Sequence, residues 1–217
     1  MELNNLQIAC TLCPRDNPTI NKSIKSLRDV GFTNTIYIYA EPGEYNIEDQ
    51  NIIITIHDQN KGCFRNFDYV MNQNKENKYL FIFQDDYIFR QGIKEEIEKI
   101  ISEGKDFTFY NFILDWRSAT YIFQDGWNDT NIGRGLIGAC FLFKDPKIIL
   151  NHEFYINHLT RYVPRRNQQI DACIGEIGRQ IDIPCYLPSK SFVAHIGEST
   201  IGHSDDKLGI FFEKTYE

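Results

Sequence analysis

The sequence lacks any long apolar run and any excess of basic residues, and both absences restrict what the protein can be. No stretch of its 217 residues approaches the roughly 20 consecutive apolar residues that a membrane-spanning helix needs. The N-terminus has neither the basic patch nor the apolar segment of a secretory signal, so we expect a cytoplasmic protein without a transmembrane segment. A net charge of −7 disfavours a nucleic-acid backbone as partner, because binding to phosphates depends on clustered Lys and Arg.

A second C-x-x-C pair is also missing, which argues against a zinc ribbon. Cys10 and Cys13 have that spacing, but the other four cysteines are scattered along the chain. Most of the six lie in apolar stretches, and we expect them to be reduced and buried. The sequence is rich in apolar residues, with 42% hydrophobic and 14% aromatic residues. This composition excludes disorder and suffices for one substantial core.

The first half of the chain alternates strand-like and helix-like segments. The expected strands are the apolar runs 6–12, 35–39, 52–56 and 79–83. The first expected helix opens at Asn17 and Pro18, since proline suits its first position, and ends at Gly31, which tolerates a left-handed conformation. Two further helices carry apolar stripes, which are Phe64, Phe67, Val70 and Met71 in one and Ile93, Ile97, Ile100 and Ile101 in the other. This alternation predicts an α/β fold with a mostly parallel sheet and helices on both faces.

The second half of the chain is less regular. The expected strands are 107–114, 138–143 and 191–194, the expected helices are 148–159 and 170–177, and a polar stretch covers 125–135. No internal repeat and no linker interrupts the sequence, so we predict a single domain over residues 1–217. Its regular half covers about 1–105, its irregular half about 106–203, and a tail follows at 204–217.

Two adjacent acids, Asp85 and Asp86, follow the apolar strand 79–83 after a single glutamine. Ligands of open α/β sheets bind at the carboxyl end of such strands. Adjacent carboxylates repel each other unless they share a cation, so the pair suits Mg²⁺ or Mn²⁺ bridging a diphosphate. The alternative is a solvated turn, or acids that favour the N-terminus of the next helix.

The segment from Asn60 to Asn66 directly precedes the second predicted helix. Gly62 lets the backbone approach a ligand, and the helix N-terminus offers N–H groups to phosphate or ribose oxygens. Arg65 can also reach a diphosphate. Asn-x-Gly by itself is equally typical of an ordinary turn.

Two residues of the second half are candidates for chemistry. Asp171 stands at the start of the helix 170–177, either as a general base facing a cleft or as an ordinary acid at a helix N-terminus. His195 leaves the last predicted strand and is placed either to bind metal or phosphate or to be a satisfied polar residue.

Taken in order along the chain, these motifs resemble the GT-A fold glycosyltransferases, particularly the inverting family 2 group of bacterial and viral sugar transferases. The resemblance covers about residues 6–203 and is carried by Thr11, Glu41, Asn60 with Gly62 and Asn66, Asp85 with Asp86, Gly138, Asp171 and His195. It implies a GT-A, Rossmann-like α/β fold in which 1–105 bind the nucleotide sugar and 106–203 provide acceptor binding and catalysis.

The resemblance also implies an activity and a set of residue roles. The activity is metal-dependent transfer of a sugar, with inversion, from a nucleoside diphosphate sugar to an acceptor hydroxyl. A UDP-sugar is the favoured donor. The implied donor-binding residues are Thr11, Cys13, Arg15, Glu41, Asn60, Gly62, Arg65, Asn66 and Asp85. The implied ligands of Mn²⁺ or Mg²⁺ are Asp86, Asp85 and His195, and Asp171 is the implied base.

Three departures from the family pattern bear on these roles, and one of them is that Glu41 stands where the usual acid after the second strand is Asp. The usual Asp-x-Asp is replaced by Gln84, Asp85 and Asp86, so Asp86 is expected to do most of the metal binding. The acid that precedes the base in many relatives is replaced by Ile170.

The acceptor side is predicted from fewer features. Trp116 and Trp127 lie in the irregular middle, where they either stack on sugar rings or fill the core. Gly138 and Arg165 complete the expected acceptor site, with Arg165 suited to an anionic acceptor. We expect a glycan or another hydroxyl-bearing molecule, and the negative net charge disfavours modified DNA.

Two other functions stay open at this stage. A nucleotidyltransferase would share the sheet and the acidic pair, but residues 13–18 lack the glycine of its usual loop. A non-catalytic nucleotide- or glycan-binding domain would also keep this fold.

Overall fold

A computed structural model describes residues 3–74, 79–114, 125–129, 140–160, 170–181 and 184–196. The strands are β1 (Leu6–Leu12), β2 (Ile36–Ala40), β3 (Ile52–Ile56), β4 (Tyr79–Gln84), β5 (Tyr87–Phe89), β6 (Phe109–Asn111), β7 (Trp127–Asp129), β8 (Phe141–Phe143), β9 (Cys185–Pro188) and β10 (Val193–His195). The helices are α1 (Ile20–Asp29), α2 (Gly62–Asn72), α3 (Ile93–Glu103), α4 (Lys147–Leu150), α5 (Glu153–Thr160) and α6 (Ile170–Gln180). Within these ranges no helix is long and apolar enough to cross a membrane.

Eight strands form one mixed sheet in the order β3-β2-β1-β4-β8-β6-β9-β7. The first four of these neighbours are parallel, and β8 joins the sheet antiparallel to β4. β1 is the third strand in this order, between β2 and β4, and all seven of its residues are buried, because it is covered on both faces. The prediction of a mostly parallel sheet is confirmed.

Helices cover both faces of this sheet, as predicted. On one face, isoleucine and leucine side chains of α1 and α3 pack on alternate residues of β1, β2 and β4. On the other face, α2 and α6 pack on the intervening residues of the same strands and on β8. The predicted stripe of α2 is buried completely, which is why this 11-residue segment forms a helix here.

The structure differs from the predicted elements at several points. α1 begins at Ile20 rather than Pro18, and Thr19, which precedes it, donates its hydroxyl to Asp85 instead of capping the helix. The strand predicted over 107–114 shrinks to β6, and the helix predicted over 148–159 divides into α4 and α5. Three strands were not predicted: β7, in the polar stretch, β9, which pairs with β6 and β7, and β5, which pairs with β10 in a separate two-stranded sheet.

The four parallel strands end at the same level. Leu12 is opposite Ala40, Ala40 is opposite Ile56, and Thr11 is opposite Gln84. The residues that follow these strands therefore line one edge of the sheet, and they are Cys13, Glu41, His57 and Asp85.

Phe81 lies in the core, and its replacement tests the packing of the core. Its ring contacts those of Phe32, Phe83, Phe89 and Phe112 at centroid distances of 5.6–6.0 Å. We expect Phe81→Ala to lower the free energy of unfolding by about 3–5 kcal/mol, since it leaves a cavity in a buried cluster. Urea denaturation measures the loss. Ile53→Ala, on the exposed edge strand β3, is the control and should change stability by about 0.5 kcal/mol or less. Equal losses in the two variants would contradict this description of the core.

Candidate functional site

The candidate site lies where the strand order reverses. From β1 the chain continues to β2 and β3 on one side, whereas β4 pairs with the other side of β1. The carboxyl ends of β1 and β4 therefore flank the crevice in which open α/β sheets bind ligands. Arg15 follows β1 and Asp85 follows β4, so the two loops meet at this crevice.

A buried ion-pair network joins these two loops. Arg15 Nε donates to Asp85 Oδ2 at 2.8 Å, and Arg15 Nη2 donates to Asp85 Oδ1 at 3.2 Å and to Asp86 Oδ2 at 2.8 Å. Asp85 and Asp86 are only 2% and 3% exposed. One guanidinium thus contacts both acids of the predicted metal motif, which sequence reasoning had not anticipated.

Asp85 has two further partners. The Thr19 hydroxyl donates to Asp85 Oδ2 at 3.2 Å, and the Cys13 thiol lies 3.9 Å from Asp85 Oδ1. Burial, and then the neighbouring charge of Asp86, raise the pKa of Asp85, although the Arg15 hydrogen bond acts in the opposite direction. Burial and the charge of Asp85 raise the pKa of Cys13 to about 12, so this thiol stays protonated at neutral pH.

The small sheet brings His195 to Asp86. His195 in β10 is opposite Tyr87 in β5, and the backbone N–H of Ile196 donates to the Asp86 carbonyl at 2.8 Å. His195 Nε2 consequently lies 3.1 Å from Asp86 Oδ2. Burial of Asp86 disfavours its charge, but the hydrogen bond and charge of His195, together with Arg15, lower its pKa below the ordinary value.

The donor set at Asp86 fits a divalent cation in part. Asp86 Oδ1 is buried and has no hydrogen-bond partner among the described residues, and such an atom suits a ligand that is not part of the chain. A carboxylate oxygen is a typical ligand of Mn²⁺ and Mg²⁺, and a neutral imidazole nitrogen is a common metal ligand in general. However, both oxygens of Asp85 are engaged by Arg15, and the described residues hold no group of three or more His, Cys, Asp or Glu side chains arranged for a metal.

Glu41 connects the end of β2 to the start of α2. Its Oε2 accepts the backbone N–H of Lys61 at 2.7 Å, while its Oε1 is buried without a partner among the described residues. Asn60 Oδ1 accepts the N–H of Gly62 at 2.9 Å. Gly62 has φ +73°, so the glycine is needed for its left-handed backbone.

Asn66 lies behind this segment and is fully engaged within the protein. Its Nδ2 donates to the Tyr39 carbonyl at 3.0 Å, and its Oδ1 lies 3.0 Å from His57 Nε2. His57, which sequence reasoning missed, is the first residue after β3 and lines a cleft of about 260 Å³ together with Lys61 and Tyr69. Its position directly after a predicted strand is the signal in the sequence that could have identified His57 as a residue of this sheet edge.

Comparison with solved structures identifies the architecture. S. aureus TarS 1–349 in complex with UDP-GlcNAc matches with a TM-score of 0.59 and 9% identity over 89% of this chain. GalNAc-T7 with UDP, GalNAc and Mn²⁺ matches with a TM-score of 0.57 and 9% identity over 89% of this chain. Both neighbours are glycosyltransferases with the GT-A fold. This chain has the GT-A fold.

The GT-A assignment rests on structure alone. No family model and no curated protein matches the sequence. The chain spans 59% of the length of the TarS fragment and 44% of the GalNAc-T7 chain.

Some of the other predicted site residues are described by the structure, and the rest lie outside the described residues. Thr11 is buried in β1 and its carbonyl accepts the Asp85 N–H, and Arg65 is exposed on the first turn of α2.

Trp127 donates its indole N–H to Glu96 at 2.8 Å and stacks on Phe192, so its ring packs against the core, and an acceptor role stays a prediction. Asp171 is the second residue of α6, as predicted. Trp116, Gly138, Arg165 and the tail 204–217 lie outside the described residues.

Asn66 gives a test of how the candidate site is supported. Asn66→Ala leaves the Tyr39 carbonyl and the His57 ring without their buried partner, so we expect a loss of about 1–3 kcal/mol in the free energy of unfolding. Urea denaturation measures it. Asn72→Ala, at the exposed end of the same helix, is the matched control and should cost about 0.5 kcal/mol or less. A loss in Asn66→Ala no larger than in the control would contradict the supporting role.

Proposed function

We propose that this protein is a glycosyltransferase that moves a sugar from a nucleoside diphosphate sugar to an acceptor hydroxyl. The observation that carries the proposal is the buried pair Asp85 and Asp86, with His195 on Asp86, at the switch point of a GT-A sheet. Such a crevice suits a ligand whose phosphates need cationic partners, and Arg15 already lies there.

The residues proposed to contact the donor lie at the ends of β1, β2 and β4 and at the start of α2. Glu41 Oε1 is a buried acceptor without a partner in the part of the chain that the structure describes, and it suits an N–H or O–H of the nucleoside. Cys13, Arg15 and Asp85 lie on the neighbouring strand ends, and Asn60 and Gly62 shape the N-terminus of α2. The complexes of TarS with UDP-GlcNAc and of GalNAc-T7 with UDP support UDP as the nucleotide.

A divalent cation, Mn²⁺ or Mg²⁺, belongs to this proposal. Asp86 and His195 would hold it, and Asp85 would assist. When bound, the ion would neutralise the charge of the diphosphate as the sugar leaves. The Mn²⁺ in the GalNAc-T7 complex supports a metal in this fold.

Asp171 is the proposed general base of an inverting transfer. It accepts the proton of the acceptor hydroxyl while that oxygen forms a bond to the anomeric carbon. The bond between the same carbon and the diphosphate oxygen breaks, and the nucleoside diphosphate leaves with its electron pair. Attack opposite to the leaving group inverts the anomeric configuration. The position of Asp171 at the start of α6 supports this role.

The proposed acceptor is a glycan or another hydroxyl-bearing molecule. Modified DNA is disfavoured by the net charge of −7, since phosphate contacts need clustered cations. The residues proposed to contact the acceptor are Trp116, Trp127, Gly138 and Arg165.

Thermal unfolding tests the donor and the metal together. UDP-GlcNAc with Mn²⁺ should raise the melting temperature by about 2–4 °C for each kcal/mol of linked binding energy. EDTA, or Asp86→Ala, should remove most of this shift, because the diphosphate then lacks its cation. Asp106→Ala is the control: it removes an exposed carboxylate in the loop after α3, and it should keep the shift.

The outcomes of this test separate the competing functions. A full shift in the presence of EDTA would contradict the metal assignment. No shift with any sugar nucleotide, but a shift with a nucleoside triphosphate, would favour a nucleotidyltransferase. Binding of UDP-GlcNAc without turnover on any acceptor would favour a non-catalytic binding domain.

Asp171→Asn tests the proposed base. The amide cannot accept the proton, so we expect kcat to fall about 10²- to 10⁴-fold while the affinity for UDP-GlcNAc is unchanged. Initial rates give kcat, and calorimetry gives the affinity. Glu176→Gln on the same helix is the matched control, since Glu176 pairs with Arg179, and its kcat should equal that of the wild type. Unchanged turnover in Asp171→Asn would remove this residue from the mechanism.

A further inference from the structure

The Arg15 guanidinium occupies the place where a cation would bind the acidic pair. It contacts both oxygens of Asp85 and one oxygen of Asp86 at 2.8–3.2 Å. The same Asp86 oxygen lies 3.1 Å from His195 Nε2. One side chain therefore pairs with both acids, and the Asp86 oxygen that it contacts is the one that also lies next to the imidazole.

Arg15 in this position and a divalent cation on Asp86 are poorly compatible. The two positive charges would lie within a few ångströms of each other in a buried site, where screening by water is weak. A cation that binds must therefore move the guanidinium away from Asp86. That movement breaks charge-assisted hydrogen bonds of a side chain that is only 12% exposed, and the cation offers no new partner in return.

A diphosphate does offer such a partner. A guanidinium matches phosphate oxygens with two parallel hydrogen bonds, as it matches a carboxylate. Asp86 Oδ1 is buried without a partner among the described residues, so it can accept an ion once the guanidinium has moved to the phosphates. When the nucleotide is present, the guanidinium that the ion displaces therefore regains hydrogen-bond acceptors, which the ion alone does not provide.

We propose that Arg15 is a surrogate cation that exchanges between the acidic pair and the diphosphate of the donor. Free divalent ions then bind weakly, and the ion and the nucleotide bind with positive coupling. This inference rests on the proposed function, because it takes a nucleoside diphosphate as ligand and Asp86 as a ligand of the ion. Arg15 sets the order and the coupling of binding, in addition to any contact with the donor.

Calorimetric titration of Mn²⁺ into metal-free protein, with and without saturating UDP, tests the exchange. In the wild type, UDP should tighten Mn²⁺ binding about 10-fold or more. Arg15→Gln should bind Mn²⁺ alone about 10-fold more tightly than the wild type, because no guanidinium has to leave, and the gain from UDP should shrink by a similar factor.

Two further variants make the result specific. Lys25→Gln removes the same charge from an exposed position on α1, and its Mn²⁺ affinity should equal that of the wild type. Arg15→Lys keeps the charge but not the fork that spans both acids, so it should tighten Mn²⁺ binding less than Arg15→Gln. Arg15→Lys carries the test if thermal unfolding shows that Arg15→Gln does not fold.

The outcomes separate this inference from the proposed function. If UDP and Mn²⁺ bind the wild type and the folded Arg15 variants show the same Mn²⁺ affinity and the same coupling, the exchange is wrong and the proposed donor site stands. If UDP binds but Mn²⁺ binds neither the wild type nor the variants, both the exchange and the metal assignment are wrong. If UDP does not bind at all, the proposed function fails with them.

Discussion

The parallel pairing of β1 with β2 on one side and β4 on the other is the constraint on which the rest of the structure depends. It places the ends of four strands at one level, so that chain segments far apart in sequence deliver polar residues to one edge. Since β1 and β4 flank the reversal in strand order, the loops that follow them enclose a crevice. A shift of one residue in the β1–β4 register would move Asp85 away from the Arg15 loop and turn the strand's buried residues to the opposite face.

Charge is the second determinant of the site. Glu41, Asp85 and Asp86 are almost fully buried, and buried carboxylates are costly unless they are paired. The fold meets this cost with a guanidinium, a hydroxyl, an imidazole and a backbone N–H at the start of α2. Two carboxylate oxygens, one on Glu41 and one on Asp86, keep no partner among the described residues. Buried acids that are only partly satisfied are typical of ligand sites, and this concentration at one sheet edge is the reason why function is proposed there.

The sequence was most informative where the signal is local. The apolar runs and the period of the isoleucine and phenylalanine residues predicted β1, β3, α2 and α3 closely, and in β1, α2 and α3 the apolar residues that form the pattern are buried in the core. It was less informative where an element depends on a distant partner. β5 has three residues and takes its hydrogen bonds from β10, so nothing near it in the sequence marks it as a strand. In the same way, Thr19 at the start of α1 donates its hydroxyl to Asp85, a residue 66 positions away, which no local pattern indicates.

The sequence alone determined which residue types stand at the ends of the strands: acids after β2 and β4, an arginine after β1 and a histidine at the end of β10. It determined them because strand ends are visible as limits of apolar runs, and the order of the motifs then indicated the GT-A fold. Only the tertiary structure decided which of these groups touch. Arg15 and Asp85 are 70 positions apart, and their contact, like that of His195 with Asp86, follows from strand order and register. Those two properties depend on the packing of the whole sheet, so a local pattern of residues does not encode them.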